Sequence, residues 1–495
     1  MNFTRLDWGI VFVYLAFTVG AGIWVRRYVE DLGGYLVAGR RVRTALGVAT
    51  LVATEIGTVT FVYLAELGYV AGFSCFAIGL LAAGAYMLVG KTGFIVSALR
   101  EQGVMTIPEY YERRYSRRVR LLGGTILFLG GVLNMGIFLK FDGIFLSEVM
   151  GFGPQAVAVI MSVMMVVVVS YTVLGGMFSV VVTDFLQFVV LSFGMLVATV
   201  AALAVTPPAA MAAAVSRHLG ESGVDPLANP RFGWPFIVWI FVSSVAAAAL
   251  WQPGVSKALS SESPDVARKV FLYTGLTFAG RAMVPMLWGV AALAYFGPGL
   301  PTLAVMPRLL GEIVPTGLLG LLVAGMLAAS MSTYSAYMLA WSSVFARDVV
   351  GCLGPNDPPE DTTIRLTRYT TAGIAVFLLT FGLWYQVPDT AFQYLYISGA
   401  MYTAGALAVV AAGLYWPRAT TRGAYAALVC GAAAPVGFLV LESVREQLPR
   451  WLAFVTEVNV AGLLSFVLAA AGMIVGSLTS ARIAATAPVP NRGSL

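Results

Sequence analysis

One histidine, His218, and three cysteines are all that 495 residues provide of the side chains most used as soft-metal ligands or as nucleophile and base. That count excludes a histidine-built metal centre and an intramembrane histidine relay. With no nucleophile and base pair to name, the chain does not read as an enzyme. Cys75 and Cys430 fall in apolar stretches and Cys352 in a polar connection, so no disulfide framework is implied. Charge is also sparse, at 11% of residues. No polar stretch is long enough to fold a soluble core, the longest covering about 207–232, 91–118 and 346–365.

What fills the chain instead is apolar: 59% of residues, with a mean hydropathy of +0.85. Windows of about 20 such residues, enough to cross a hydrocarbon core of ~30 Å, recur about thirteen times, near 7–25, 44–68, 70–90, 119–149, 153–174, 177–206, 233–256, 269–296, 316–345, 366–386, 389–415, 422–441 and 458–480. The expected fold is an all-α polytopic membrane protein forming one transmembrane domain over residues 1–483, with a disordered tail from 484 to 495. Lys and Arg crowd the connections after Arg26, Arg40, Lys91, Arg113, Lys257, Arg347 and Arg418, and are few on the other side. The excess of basic residues in cytoplasmic loops then puts the N-terminus outside and the C-terminus in the cytoplasm of a cell-membrane protein. The pI of about 9.2 is accordingly a topology signal beside anionic lipid, with no nucleic-acid partner implied. Arg26-Arg27 follow the first apolar window, the reverse of a secretory signal, so that window is read as a retained helix.

Two windows do not read as continuous helix. Thr54-Glu55-Ile56-Gly57-Thr58-Val59-Thr60 sets glycine, β-branched residues and a carboxylate at mid-depth of the second, and Gln252-Pro253-Gly254 interrupt the seventh after Ser243 and Ser244. The windows lie five apart. Two units, 44–206 and 233–415, would each open on a broken helix and run in opposite orientation, the arrangement that marks a transporter's binding site. In the ninth window, Ala328-Ala329-Ser330-Met331-Ser332-Thr333-Tyr334-Ser335 buries hydroxyls in an apolar span. The Ala329 carbonyl and the Ser332 and Thr333 hydroxyls, at i, i+3 and i+4, share a helix face and form half of an oxygen site for a bare cation.

Further polar groups lie within the windows. A buried carboxylate at Asp184 needs a partner, an ion or a proton, and the rival reading is a brace between helices. Arg281 cannot be neutralised by deprotonation and needs an anion, either a substrate carboxylate or Glu55; snorkelling is the alternative. Glu55 could complement a cationic or zwitterionic solute, pair with Arg281 or take a proton. Lys140 and Asp142 are read as a local or interfacial pair. Thr58, Thr60, Ser243 and Ser244 are candidates for solute hydrogen bonds, and Tyr394, Tyr396 and Tyr402 form an aromatic outer end of the eleventh window together with Gln393.

Five blocks resemble the sodium/solute symporters, a family with carriers of sugars, proline, sialic acid, pantothenate and iodide. They are Tyr35 to Arg40, Thr106-Ile107-Pro108-Glu109-Tyr110 with Arg114-Tyr115, Tyr171 to Gln187, Ala328 to Asp348, and Gly413 to Arg418 with Gly423-Ala424. The resemblance implies a LeuT-like fold of two inverted five-helix repeats with flanking helices, working by alternating access. It implies a sodium site from the carbonyls of Ala53, Ile56 and Ala329 and the side chains of Ser332 and Thr333. It also implies a candidate second sodium site at Asp184 and Ser335, although Ala336 stands where relatives carry another hydroxyl. It places an outer gate and solute contacts on the eleventh window, with Tyr396 as the candidate; an interfacial aromatic belt is the rival reading of that end. Gly79 replaces an acidic residue that holds sugar in a relative, which disfavours a sugar.

The function expected is sodium-coupled import of a small polar solute, zwitterionic or anionic rather than a sugar, with lipid as surroundings and no obligate protein partner. The rivals are a proton-coupled carrier of the same fold using Glu55 or Asp184, and a transporter-derived sensor or channel.

Overall fold

The computed structural model describes residues 3–29, 31–385, 391–441, 449 and 457–480. Helices account for nearly all of it, and the described residues contain no strand beyond one isolated bridge between Val42 and Ser261. In chain order the principal helices are α1 (Arg5–Val25), α2 (Thr44–Thr54), α3 (Thr58–Ala71), α4 (Phe76–Thr92), α5 (Ile107–Arg114), α6 (Arg117–Met135), α7 (Phe138–Met150) and α8 (Val157–Val205). They continue as α9 (Gly233–Leu250), α10 (Gln252–Ser260), α11 (Pro264–Phe296), α12 (Leu318–Val344), α13 (Glu360–Trp384), α14 (Ala391–Tyr415), α15 (Thr421–Leu441) and α16 (Val458–Leu478). The tail expected from 484 and the Gln393 side chain lie outside the described residues.

Eleven helical segments are long and apolar enough to cross a membrane among the described residues, against about thirteen expected. The difference has two sources. α3 and α4 run on through a tight turn as one segment, Thr58–Thr92, and the fifth and sixth windows are joined in α8. Within α8 the chain kinks at Gly176, whose φ of 52° and ψ of −146° suit glycine. A Cβ there would lie 2.5 Å from the Tyr35 carbonyl oxygen.

Both expected interruptions are present. α2 and α3 are separated by Glu55, Ile56 and Gly57, and α9 and α10 by Trp251 in extended conformation (φ −73°, ψ 110°), with Pro253 in the first turn of α10. Proline is tolerated there because the first-turn N–H groups have no helical partner. α3 presses against α11 through two glycines: a Cβ on Gly68 or Gly289 would sit 2.0 or 1.9 Å from a carbonyl oxygen of the other helix. Small residues that let backbones approach are how helices pack when lipid supplies no hydrophobic drive.

α12 is the centre of the bundle. From Leu322 to Val344 every residue is buried, so the hydroxyls of Ser330, Ser332, Thr333 and Ser335 face protein and not lipid. α1 is peripheral, with Phe12 72% exposed on an apolar outer face, the surface a lipid-facing helix presents. The basic connections meet on one side of the bundle: Arg100 donates to the Ser261 and Glu262 carbonyls, Arg268 to Lys91, and Arg114 to Gly413 and Ala419. There Thr106 caps α5 by accepting from the Glu109 N–H, and the Glu109 side chain accepts from the N–H of Met105, the residue before the cap. The Glu109 side chain also holds Arg347 at 3.0 Å and Arg113 at 2.5 Å.

Candidate functional site

The break after α2 is where backbone oxygens come free. The Glu55 N–H still reaches the Leu51 carbonyl at 3.1 Å, the Ile56 N–H makes only a 3.5 Å bond to Ala53, and no hydrogen bond reaches the Ile56 carbonyl among the described residues. α12 packs directly on this break. The Thr333 hydroxyl lies 3.1 Å from its own Ala329 carbonyl and 3.2 Å from the Thr54 carbonyl, and a Cβ on Gly57 would stand 3.1 Å from it. Ala329 and Thr333 are thereby brought against Thr54 and Gly57, the residues that flank the break beside Ala53 and Ile56. These are neutral oxygens, the donor type that replaces the hydration shell of a hard monovalent cation. Ser332 joins them from the side, donating its proton to Asp184 Oδ1 at 2.6 Å, which leaves its oxygen lone pairs for another partner.

Asp184, on α8, is the hub of a second buried cluster. Its Oδ2 accepts from the Thr50 hydroxyl, from Thr54 at 3.3 Å, and from Lys257 Nζ at 2.9 Å. Asp184 and Lys257 are both fully buried. Lys257 is thus not one of the loop cations that the charge pattern suggested. Its ammonium, carried in on α10, occupies the cation position beside Asp184. Ser335 donates to the Ser332 carbonyl at 3.0 Å, and no hydrogen bond joins it to Asp184 among the described residues. The carboxylate that was expected to share a second sodium with it is paired with the Lys257 ammonium.

A cavity of about 180 Å³ lies beside the break. Glu55, Thr60, Ser243, Ser244, Arg281 and Tyr396 all line it, drawn from the break, α3, α9, α11 and α14. Glu55 Oε1, Arg281 Nη1 and the Ser243 and Ser244 hydroxyls have no hydrogen-bond partner among the described residues. Glu55 lies against α10 where a Cβ on Gly254 would approach its Oε1 to 3.1 Å, and Arg281 rests on the Phe278 ring 3.2 Å from its centroid. No ion pair joins Glu55 to Arg281 among the described residues. Gly79 also lines the cavity and contributes no polar side chain.

Thr58 is the exception among the solute candidates. It points away from the cavity, donating to the Met326 carbonyl at 3.1 Å and meeting Ser330 at 2.7 Å. Lys140 and Asp142 are no pair either: Lys140 donates to the Tyr385 carbonyl, whereas Asp142 meets the Ser330 and Tyr334 hydroxyls. Residues two apart on a helix do not face each other. Asn134, Tyr63, Tyr86, Trp251 and Tyr337 also line the cavity and were missed in the sequence. Asn134 carried a signal, as the one amide in a glycine-rich apolar window. The aromatics carried none, since aromatic residues at helical spacing read equally as core.

The sequence profile of the sodium:solute symporter family matches residues 35–220 and 298–431. The chain belongs to the sodium:solute symporter family. The symporter is similar to the sodium/glucose cotransporter 4 of Danio rerio, at 25% identity over 88% of this chain and 72% of that one. It is also similar to the sodium/sialic acid symporter NanT of Aliivibrio fischeri, at 22% identity over 75% and 74%. Among solved structures, a Na+-coupled sialic acid symporter superposes with a TM-score of 0.81 at 18% identity, covering 97% of this chain and 98% of that one. The fold is therefore LeuT-like. The protein is a multi-pass membrane transporter and not an enzyme, with sodium as its coupling ion and a small-molecule solute as its cargo.

Proposed function

We propose that this symporter carries a small solute bearing a carboxylate, zwitterionic or anionic, together with a single sodium ion. The observation that carries the solute class is the pairing of a guanidinium nitrogen without an acceptor, Arg281 Nη1, with a carboxylate oxygen without a donor, Glu55 Oε1, in one small cavity. Arg cannot shed its charge, and a buried charge without a partner is costly. A solute carboxylate on Arg281 removes that cost, and a solute ammonium would do the same for Glu55. Ser243, Ser244 and Thr60 add neutral donors and acceptors, and Tyr396 closes the α14 side against Trp239.

The sodium ligands in this reading are the Ala53, Ile56 and Ala329 carbonyls with Ser332 and Thr333. Lys257 holds Asp184, and Asp184 takes the Ser332 proton, so the Ser332 oxygen is turned with its lone pairs toward the ion. Sodium then ties the α2–α3 break to α12 and sets Glu55, which sits in the break, for the solute; its release frees both. One charge crossing ~100 mV supplies roughly 2.3 kcal/mol to that cycle. The Asp184 and Ser335 site is not a second sodium site in this account, because a tethered ammonium stands in for the ion. The two repeats over 44–206 and 233–415, an N-terminus outside, a cytoplasmic C-terminus and a surround of lipid without an obligate protein partner complete the reading.

Thermal shift of the purified protein against neutral sugars, amino acids and small carboxylates, with and without sodium, tests the solute class, since a ligand stabilises the state that binds it. A carboxylate-bearing compound should raise the melting temperature in sodium, and Arg281→Gln should abolish that rise. Stabilisation by a neutral sugar and by no carboxylate would overturn the proposal.

A further inference from the structure

Asp142 plays no part in the proposed sodium site or the cavity, yet it is 2% exposed and no ion pair joins it to a cation among the described residues. Its carboxyl group accepts from the Tyr334 hydroxyl on one oxygen and faces the Ser330 hydroxyl with the other. Ser330 Oγ in turn lies 2.7 Å from Thr58 Oγ1 and receives the Thr58 N–H at 3.2 Å, and Thr58 Oγ1 lies 3.1 Å from the Met326 carbonyl. The chain Asp142, Ser330, Thr58, Met326 therefore contains three oxygen-to-oxygen contacts. Ser330 and Thr58 bring one hydroxyl proton each. With Asp142 ionised, one of the three contacts has no proton and two lone pairs oppose each other. With Asp142 neutral, its proton goes to Ser330, the Ser330 proton to Thr58 and the Thr58 proton to Met326, and every contact is a hydrogen bond.

Among the described residues no neighbouring charge offers another solution. Of the titratable groups on the elements packed against α7, Lys140 is bonded to the Tyr385 carbonyl, Glu66 to Thr302, Tyr69 to the Gly297 carbonyl, Tyr171 to the Met331 carbonyl and Asp184 to Lys257. Tyr63 on α3, Tyr337 on α12, Glu148 on α7, and Arg308 and Glu312 on the helix Val305–Ile313 make no bond to Asp142, and α13 carries its charged residues at its first turns, from Glu360 to Arg368. A metal ion does not fit between these oxygens either, since hydrogen-bonded oxygens 2.7 Å apart are closer than neighbouring ligands in a cation's shell.

The geometry points to Asp142 as a proton-binding site that is loaded in this conformation and linked to sodium binding. The link is Thr58. It opens α3 immediately after the segment that contains Ala53 and Ile56, so a movement of that segment alters the partners of the Asp142 proton, which passes to or from bulk water. By linkage the effect is reciprocal. The linkage rests on the sodium site proposed above, whereas the protonation does not, so the two can fail separately.

Infrared spectra of the purified full-length protein at neutral pH test the protonation. The carbonyl stretch of a neutral carboxylic acid should be present in the wild type and lost in Asp142→Asn. Ser330→Ala, which keeps the carboxyl group and removes its acceptor, should shift the band, and it serves if Asp142→Asn does not fold. Addition of sodium chloride to weakly buffered protein tests the linkage: the wild type should change the pH and Asp142→Asn should not. A carboxylic-acid region unchanged by both substitutions overturns the protonation. A sodium-induced pH change that is equal in wild type and Asp142→Asn, or absent from both, overturns the linkage.

Discussion

Asp184 and Asp142 stand on opposite sides of the same hydroxyl-bearing stretch of α12, both withdrawn from water, and the chain satisfies them by different means. Asp184 has the ammonium of Lys257 and three hydroxyls, Thr50, Thr54 and Ser332; Asp142 has hydroxyls alone. Ser330 and Tyr334, one turn apart, serve Asp142, while Ser332, two residues on from Ser330, points the other way to Asp184. A carboxylate with a fixed cation can stay ionised and hold a neighbouring hydroxyl in one orientation. One with hydroxyls alone is satisfied by a proton. The same residue type is thus a brace on the side of α12 proposed to hold sodium and, as proposed above, an exchangeable site on the other.

The sharpest way to break the comparison is to remove one charge from the braced side. Asp184→Asn leaves Lys257 buried without a partner, and Lys257→Ala leaves Asp184 so; each should cost about 3–5 kcal/mol, measured as a fall in melting temperature. Replacing both residues by neutral ones should cost less than either single change. In Lys257→Ala, added sodium should recover part of the loss by taking the vacated cation position. A Lys257→Ala protein as stable as wild type without sodium would mean that the pair is not a brace.

On the other side, Asp142→Asn should be mild, within about 1 kcal/mol, because an amide can donate to Ser330 as the neutral acid does and leaves no charge unpaired. Equal penalties for Asp142→Asn and Asp184→Asn would dissolve the distinction. Ser332→Ala and Thr333→Ala should remove the sodium-induced thermal shift while leaving any response to Asp142 protonation in place. The smallest expected effect lies on the basic side of the bundle. Burial opposes ionisation of Glu109, but Arg347 and its other partners outweigh it and hold the carboxyl below its ordinary value of 4.5. The stability that Glu109 contributes is therefore fully present above that value and is lost as pH falls through its folded pKa. Melting temperature against pH should accordingly fall less in Glu109→Gln than in wild type in this acid range.

The parts of the site that were legible in the sequence share a cause. Ser332, Thr333 and Glu55 are polar residues in windows where polarity is expensive, and helical period alone puts Ala329, Ser332 and Thr333 on one face. Arg281 stood out for the same reason. Lys257 did not, because it follows Gln252-Pro253-Gly254 in a stretch that reads as the end of a span beside other basic loops; only the second half-helix α10, folded back into the bundle, shows that it is buried. Asp142 was hidden by Lys140, since neighbouring opposite charges in sequence suggest a pair that helical geometry forbids. The number of spans was blurred where α3 turns into α4 and where Gly176 bends α8 without ending it.

If Lys257 stands in for a second sodium, the chain binds one. Equilibrium binding of radiolabelled sodium to the purified wild-type protein and to Lys257→Ala tests it most directly. One ion should bind per wild-type chain and be lost in the Ser332→Ala/Thr333→Ala protein, and a second should be gained in Lys257→Ala. Two ions bound by the wild type, or binding that survives the loss of Ser332 and Thr333, would contradict it.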